Sequence, residues 1–453
     1  MPLMKIDLLV AEIGSTTTVL TAFQTKDNNM SILAQSEYKT TIPEGDVTIG
    51  IEKALSILSG KLGENIHWNK FLATSSAAGG LTVTVHGLVY DMTVKAAQEA
   101  SLGAGAIIKY VTAGKLRESQ LTQIKKINPK LIILSGGVDY GEEEIVIENA
   151  RLLASLPTKA PVIYAGNCAI QEEIKDIFDK QNKKIIITEN VYPKVDQLNV
   201  EPARKIIQEV FSKHIINAPG MEKIYDIVDE EIIPTPAAVV HTTELLSILY
   251  EDVMTIDIGG ATTDIVSVTD GSPEIQKILV SPEPRTKRTV DGDLGIYINA
   301  AHVIDLIGID NIKNHFSNFD ELLNNLSPFP NNDSEEKFCA FLAKYCLLTA
   351  IKRHAGKINY IYTPLGRQKI AQGKDLTAIK VMFGTGGILS RSKYRKHIMQ
   401  SFLTHKFSED LLIPTQDVKF AYDKNYIFAN IGIIGKYYKD IALTLLKNNV
   451  EFI

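Results

Sequence analysis

The sequence predicts an α/β fold built from two similar lobes, and two observations carry this prediction. The segment EIGSTTTVL at 12–20 is echoed by DIGGATTDI at 257–265, 245 positions later (257 − 12). Between the copies, short apolar runs alternate with amphipathic stretches, which is typical of a parallel sheet covered by helices. A repeat at this distance indicates two related halves rather than a solenoid of short units.

The first copy of the repeat lies in a predicted β-hairpin. An apolar strand over Ile6–Val10 leads into its turn, and the chain returns as a strand over Val19–Phe23. A helix is expected at about 48–61 and a further strand over Phe71–Ser75. We expect these elements to belong to a first lobe that spans 1–235.

The surplus length of the first half lies at about 80–230, where we predict an α/β insert in the first lobe. An Ala-rich stretch at its start predicts a long helix over Thr93–Ala113. Three apolar runs follow, at 131–134, 162–164 and 184–188, with amphipathic stretches between them at 142–155 and 170–181. A final helix at 201–214 completes the insert.

The second half, 236–453, is predicted to form the second lobe. A helix over Ala237–Tyr250 leads into the second copy of the repeat. Strands are predicted at 253–256, 265–268 and 379–383, and helices at 296–307 and 335–353. A C-terminal helix over Phe428–Leu446 is expected to return to the first lobe.

The turn in each copy combines glycine with hydroxyl side chains directly after a strand. Such a turn points backbone N–H groups at one anion and lets that anion approach the backbone closely. The candidate phosphate-binding residues are Gly14, Ser15, Thr16 and Thr17 in the first turn, and Gly259, Gly260, Ala261 and Thr262 in the second. A single turn of this type is more often an ordinary hairpin turn, so the prediction depends on the matched pair.

An acidic residue precedes each turn, Glu12 in the first copy and Asp257 in the second. A carboxylate beside phosphates requires a cation between them, and Mg²⁺ held by one or two carboxylates and the phosphates meets that need. Glu12, Asp257 and Asp264 are therefore candidate Mg²⁺ ligands. Glu12 and Asp257 are also the candidate catalytic residues, while the sequence identifies no catalytic base.

A third glycine motif follows the predicted strand at 379–383 and consists of Gly384, Thr385, Gly386 and Gly387. A glycine pair at this point would let a purine or a ribose lie against the backbone. An isolated motif of this kind is also compatible with a tight strand-to-helix turn. Its value lies in the order of two acidic hairpins followed by the glycine loop.

Composition excludes several other classes of protein. The chain has 453 residues with 48 Lys and Arg against 53 Asp and Glu, and a net charge of −5 does not favour a nucleic-acid partner. Three scattered cysteines do not suggest a disulfide framework or a zinc site. We find no apolar run long enough for a membrane span and no signal peptide, and we therefore expect a cytoplasmic protein without a membrane partner.

The ordered hairpins and glycine loop resemble the actin, heat-shock-protein and sugar-kinase superfamily. In that superfamily two ribonuclease-H-like lobes clamp ATP in the cleft between them, which is the fold and cofactor that the resemblance implies. Residues 12–18 and 257–264 look like its first and second phosphate motifs, and residues 384–387 look like its adenosine motif. Residues 236–249 and 429–435 look like its two connecting helices. Glu12 is a departure, because the superfamily usually has aspartate there.

The resemblance extends to one family, the MutL (also called GlmL) proteins, over nearly the whole chain. It is carried by LATSSAAGGLTVTVHGLV (72–89), SLGAGA (101–106), LIILSGGVDYG (131–141), KRTVDGDLG (287–295), GKDL (373–376) and FGTGG (383–387). These proteins are encoded with adenosylcobalamin-dependent mutases such as glutamate mutase. The resemblance implies an ATPase that acts as an accessory or reactivating factor, with subunits of such a mutase or of an amino-acid aminomutase as its partner.

Two other function classes remain compatible with the motifs. A small-molecule kinase of the same superfamily would place a carboxylate base beside a substrate hydroxyl and transfer the γ-phosphate to it. A non-catalytic scaffold would bind ATP and polymerise. Phosphate release with and without acceptors, and sedimentation with ATP, would distinguish these classes.

Overall fold

Strands and helices alternate along the chain, and in the described part of the chain the strands form four sheets. The structure is a computed structural model, and it describes residues 3–26, 29–63, 65–77, 81–104, 106–195, 197–215, 220–363 and 366–453. The strands are β1 (Leu3–Ile13), β2 (Thr17–Lys26), β3 (Asn29–Lys39), β4 (Asn65–Ser75), β5 (Thr82–Gly87), β6 (Ile107–Ala113), β7 (Leu131–Leu134), β8 (Val162–Tyr164), β9 (Ile185–Ile187), β10 (Ile233–Pro234), β11 (Val253–Ile258), β12 (Thr263–Val268), β13 (Thr286–Asp291), β14 (Lys357–Thr363), β15 (Gly366–Gln372), β16 (Val381–Thr385), β17 (Lys419–Asp423) and β18 (Val450–Phe452).

The helices vary from one turn to six turns in length. They are α1 (Thr48–Leu62), α2 (Lys95–Gly103), α3 (Glu118–Ile127), α4 (Glu144–Ser155), α5 (Gln171–Asp179), α6 (Glu201–Ile215), α7 (Met221–Tyr225), α8 (Thr235–Tyr250), α9 (Pro273–Gln276), α10 (Ala300–Ile307), α11 (Ile309–His315), α12 (Phe319–Asn324), α13 (Asp333–His354), α14 (Gly387–Arg391), α15 (Arg395–Thr404), α16 (Phe428–Tyr437) and α17 (Lys439–Asn449). In the described ranges, no helix combines the length and the apolar character that crossing a bilayer requires.

Two of the sheets share one topology. The first has the order β3-β2-β1-β4-β10, and the second has the order β13-β12-β11-β16-β17-β18. In each, a central strand pairs antiparallel with the strand that follows it and parallel with a later one. The central strands are nearly continuous apolar runs, as strands between two covered faces are. This repeated arrangement is ribonuclease-H-like, so the predicted fold class is confirmed.

Helices α8 and α16 pack against each other beside these two sheets, and α16 also contacts β1 and β4. The helices approach closely at Gly432, where a Cβ atom would overlap the backbone of Ala238. The His241 imidazole Nδ1 lies 2.8 Å from the Gly432 carbonyl oxygen. Buried side chains from both sheets and both helices form one continuous apolar cluster, and this packing brings the two strand ends with the glycine turns into one part of the fold.

The chain divides into two compact units. Unit 1 comprises Met1–Gly79, His214–Ile278 and Arg288–Ile453, and unit 2 comprises Gly80–Lys213 and Leu279–Lys287. Unit 2 holds a parallel sheet of order β6-β5-β7-β8-β9, the flavodoxin-like arrangement of a doubly wound fold. Both ribonuclease-H-like sheets lie in unit 1, except for the first two residues of β13, which belong to unit 2. The boundary predicted between two lobes near 235 stays a prediction.

Several sequence-based element assignments need correction. The predicted helix over Thr93–Ala113 is too long, because the helical residues end with α2 at Gly103 and the Ile-, Tyr- and Val-rich segment after it forms β6. The single helix predicted over Phe428–Leu446 is divided into α16 and α17 at Tyr438, whose backbone is not helical. Parts of two motifs, residues 78–80 and 105, lie outside the described residues.

Candidate nucleotide site

The first glycine turn joins β1 to β2. The Gly14 N–H donates a hydrogen bond to the Thr17 carbonyl oxygen at 2.9 Å, which closes the turn. Thr40, which follows β3, braces it, because its hydroxyl donates to the Gly14 carbonyl at 2.8 Å and its N–H donates to the Thr16 carbonyl at 2.9 Å. The Ser15 hydroxyl donates to a backbone carbonyl in the loop after β4 at 3.2 Å. The turn is therefore fixed by contacts on both sides.

The second glycine turn joins β11 to β12 and repeats the same closing bond. The Gly259 N–H donates to the Thr262 carbonyl oxygen at 2.9 Å. The Gly260 carbonyl accepts two N–H groups of the segment that precedes α10, at 2.7 and 2.9 Å. The Asn299 amide donates to the Ala261 carbonyl at 2.6 Å. The sequence echo thus corresponds to two turns with the same closing hydrogen bond, each supported by a different neighbouring segment.

The two turns and the glycine loop meet in unit 1. A Cβ atom at Gly260 would lie 3.2 Å from the Thr16 methyl carbon, so the two turns are in van der Waals reach. In the second sheet, Thr385 of β16 lies in register with Asp257 of β11. Gly386 has a φ of +88°, and a Cβ atom there would lie 2.7 Å from Asp257 Oδ1. The three predicted motifs are therefore brought together.

The remaining glycines of the loop differ in their surroundings. Gly384 lies within β16, where a Cβ atom would press on Leu389 and Met399 at 3.2 Å. Gly387 begins α14, and a Cβ atom there would have no described neighbour within 4 Å. Open space beside Gly387 is compatible with a ligand that lies against the backbone, whereas Gly384 serves packing within the sheet.

Two acidic side chains lie close together at the ends of the central strands. Glu12 is 7% exposed, and burial followed by the nearby charge of Asp257 raises its pKa to about 8. The pKa of Asp257 is raised to about 7, first by burial and then by Asp264 and Asp423. Buried like charges destabilise each other unless a cation neutralises them. These residues therefore fit a divalent cation with oxygen ligands.

Asp264 has a cation partner in the protein itself. Its carboxylate forms an ion pair with Arg288 and accepts a hydrogen bond from the Thr262 hydroxyl at 3.2 Å. Within the described residues, no group of three or more His, Cys, Asp and Glu side chains is arranged to hold a metal ion. A Mg²⁺ ion at Glu12 and Asp257 would thus need water or phosphate oxygens to complete its ligands. The metal roles of these three residues stay predictions.

Sequence reasoning missed Asp423 and Tyr426. Asp423 is fully buried and accepts a hydrogen bond from the Thr385 hydroxyl at 2.9 Å, as well as N–H groups at the start of α16. Asp423 lies four residues before Ile427, the N-cap of α16, so it is not at the position that a capping pattern identifies in a sequence. The Tyr426 hydroxyl donates to Glu12 Oε1 at 3.1 Å across 414 sequence positions, a contact without a local signal.

Two solved structures are weakly similar to this chain. A nucleotide-free acetone carboxylase aligns with a TM-score of 0.42 and 12% identity, covering 94% of this chain and 70% of that one. A nucleotide-free diol dehydratase-reactivating factor aligns with a TM-score of 0.36 and 11% identity, covering 95% of this chain and 99% of that one. Both TM-scores are below 0.5, so no functional conclusion rests on them.

Sequence comparisons are much stronger. The sequence model of the family described as "MutL protein" matches residues 8–450. The "Protein MutL" of Clostridium tetanomorphum is 36% identical over 458 aligned positions, which cover 97% of this chain and 98% of the relative. Both matches extend across the hairpins, the glycine loop and nearly all of the remaining chain. The chain therefore belongs to the MutL protein family.

Proposed function

We propose that this chain binds ATP and Mg²⁺ at the two glycine turns and acts as an accessory or reactivating ATPase. Its partner would be an adenosylcobalamin-dependent mutase, such as glutamate mutase or an amino-acid aminomutase. The observation that carries the nucleotide proposal is the pair of turns with equal closing bonds, which lie within van der Waals reach of each other and beside the buried carboxylate of Glu12 and the partly buried carboxylate of Asp257. The mutase partner is carried by the family resemblance.

The residues of the site would divide the work of nucleotide binding. Backbone N–H groups and hydroxyls of 14–17 and 259–262 would hold the phosphates, since such turns form concave anion sites. Glu12 and Asp257 would hold Mg²⁺, which supplies positive charge beside the phosphates. The open backbone at Gly387 would accept the adenosine end.

The connection between the turns and unit 2 supports a coupled role. The segment Leu279–Lys287 belongs to unit 2, and the chain continues from it directly into Arg288 of unit 1. Arg288 forms an ion pair with Asp264, two residues after the second turn. A change at that turn would reach the segment through the covalent chain. A nucleotide shifts a partner only through differential affinity for two states, so the proposal requires two conformations of this connection.

Calorimetric titration with ATP and Mg²⁺ tests the nucleotide part of the proposal. Asp257→Asn should weaken Mg²⁺-dependent ATP binding by at least about tenfold, equivalent to about 1.4 kcal/mol, because it removes one of two ligands for the cation. Asp305→Asn, at an exposed position of α10, is the matched control and should bind as the unmodified chain does. Equal binding by both variants would remove Asp257 from the site.

Recovery of an inactivated glutamate mutase tests the partner part. The unmodified chain with ATP and Mg²⁺ should restore mutase turnover, and Asp257→Asn should restore it more slowly. Absence of ATP binding by the unmodified chain would overturn the whole proposal. ATP binding without any effect on mutase recovery would leave a nucleotide-binding protein with a different partner.

A further inference from the structure

Tyr426 has an unusual backbone conformation for a bulky residue. Its φ is +54°, in the left-handed region that residues other than glycine, asparagine and aspartate rarely adopt. It lies in the short loop between β17 and α16. Strain of this kind persists only where the surroundings hold the residue in place, and it is concentrated at functional sites.

Hydrogen bonds to the end of β17 and to the end of α17 fix the loop that carries this tyrosine. Asp423 accepts the N–H groups of Ile427 and Phe428 at 2.9 and 2.8 Å. The N–H and the side-chain amide of Asn425 both donate to Asn449 Oδ1 at 3.0 Å. The loop is thus anchored on each side of the strained residue, and these bonds offset the cost of its conformation.

Contacts from β3 of the first sheet hold the same loop from the opposite side. The Gln35 side-chain amide donates to the Asn425 carbonyl oxygen at 3.2 Å. The guanidinium of Arg391 lies 4.9 Å from the centre of the Tyr426 ring and forms an ion pair with Glu37. Arg391 also donates to Gln35 Oε1 at 3.3 Å. The ring of Tyr426 therefore has one defined position relative to the first sheet.

The hydroxyl of Tyr426 donates a hydrogen bond of 3.1 Å to Glu12 Oε1. Glutamate has one more rotatable bond than aspartate, and a buried carboxylate on a longer side chain needs more help to keep one orientation. We infer that Tyr426 is a positioning residue that orients the Glu12 carboxylate for Mg²⁺ in the nucleotide complex. This inference rests on the proposed function and assigns a task to a residue outside the glycine motifs.

The test compares two matched tyrosines. Tyr426→Phe removes only the hydroxyl that meets Glu12. Tyr422→Phe is the control, since the Tyr422 hydroxyl instead accepts a hydrogen bond from Arg395 at 2.8 Å, and the Arg395 guanidinium stacks 3.7 Å from its ring centre. Calorimetry measures ATP affinity with and without Mg²⁺, a readout that does not depend on hydrolysis. Unfolding curves in urea confirm that both variants fold.

Tyr426→Phe should weaken the Mg²⁺-dependent part of ATP binding by about tenfold, the usual effect of losing a hydrogen bond to a charged group, and leave Mg²⁺-free ATP binding unchanged. In a Glu12→Asp background, the same change should have less than half that effect, since the shorter side chain depends less on the hydroxyl. Equal loss in the two backgrounds would indicate a purely structural role and overturn the inference.

The outcomes separate this inference from the function on which it rests. If the unmodified chain shows Mg²⁺-dependent ATP binding and Tyr426→Phe matches Tyr422→Phe, only the positioning role is refuted. If the unmodified chain shows no Mg²⁺-dependent ATP binding, the proposed function and the positioning role are both refuted.

Discussion

Replacing Glu12 by glutamine removes a charge that the fold buries close to Asp257, and the effect on stability follows from the pKa of Glu12. Burial and the neighbouring carboxylate raise that pKa from 4.5 to about 8. The folded chain therefore binds a proton more tightly at Glu12 than the unfolded chain does. The stability contributed by the protonated form is complete below pH 4.5 and is lost as the pH rises through about 8.

The magnitude follows from the same shift. The linkage slope is roughly 1.4 kcal/mol for each pH unit well below pH 8 and half of that at the pKa, so the unliganded protein should lose about 2 kcal/mol through Glu12 between pH 6 and pH 8. The full shift corresponds to an upper limit of about 5 kcal/mol, most of which Glu12→Gln should recover at pH 8. Glutamine retains an oxygen that accepts the hydrogen bond of Tyr426, so the variant removes the charge and keeps the contact.

Urea unfolding in the absence of nucleotide and metal measures this effect. Trp68 is the one tryptophan of the sequence and lies on β4, next to β1, so its fluorescence reports on the sheet that carries Glu12. The unfolding free energy of the unmodified chain should fall from pH 6 to pH 8 by more than that of Glu12→Gln. Equal slopes for the two proteins would refute the raised pKa of Glu12 and the charge crowding behind it.

Three further predictions concern other parts of the fold. Gly387→Val should weaken ATP binding with little loss of stability, since its side chain would enter open space. Gly386→Val should destabilise the chain before ligand is added. Calorimetry measures the loss of ATP binding, and thermal unfolding measures the loss of stability. Asp423→Ala should cost about 3 kcal/mol or more in urea unfolding, because it leaves buried donors at the start of α16 without an acceptor. Lys95→Met should destabilise unit 2 by about 3–5 kcal/mol, because it leaves the buried Glu283 carboxylate without its ion-pair partner. The double variant Lys95→Met, Glu283→Leu should recover part of this stability, and amide hydrogen exchange measures both effects.

Local signals explain why the turns were predictable. A glycine turn after an apolar strand is encoded within about ten residues, and both predicted hairpins are present with the strand pairing expected of them. The helix predicted over Thr93–Ala113 failed for the opposite reason. Its second half is rich in residues that also favour strands, and pairing with β5 determines its conformation.

The parts of the candidate site that were missed depend on distant partners. The bond between Tyr426 and Glu12, and the ion pair between Arg391 and Glu37, each join residues that are more than 350 positions apart. No periodicity or turn motif encodes such a pair, because each residue alone is compatible with an ordinary surface role. The steric conflict at Gly386 also required the structure, since the glycine pair itself does not show which member faces open space.

The discontinuity of unit 2 has a consequence for synthesis of the chain. The Lys95 ammonium donates to the Ser281 hydroxyl at 3.2 Å across 186 sequence positions. At about 5–20 residues per second, roughly 10–40 s separate the emergence of these two residues from the ribosome. Unit 2 therefore reaches its final form only after the second glycine turn has been translated. A nascent chain that ends at Lys213 contains every strand of the parallel sheet and still lacks the segment that completes the unit.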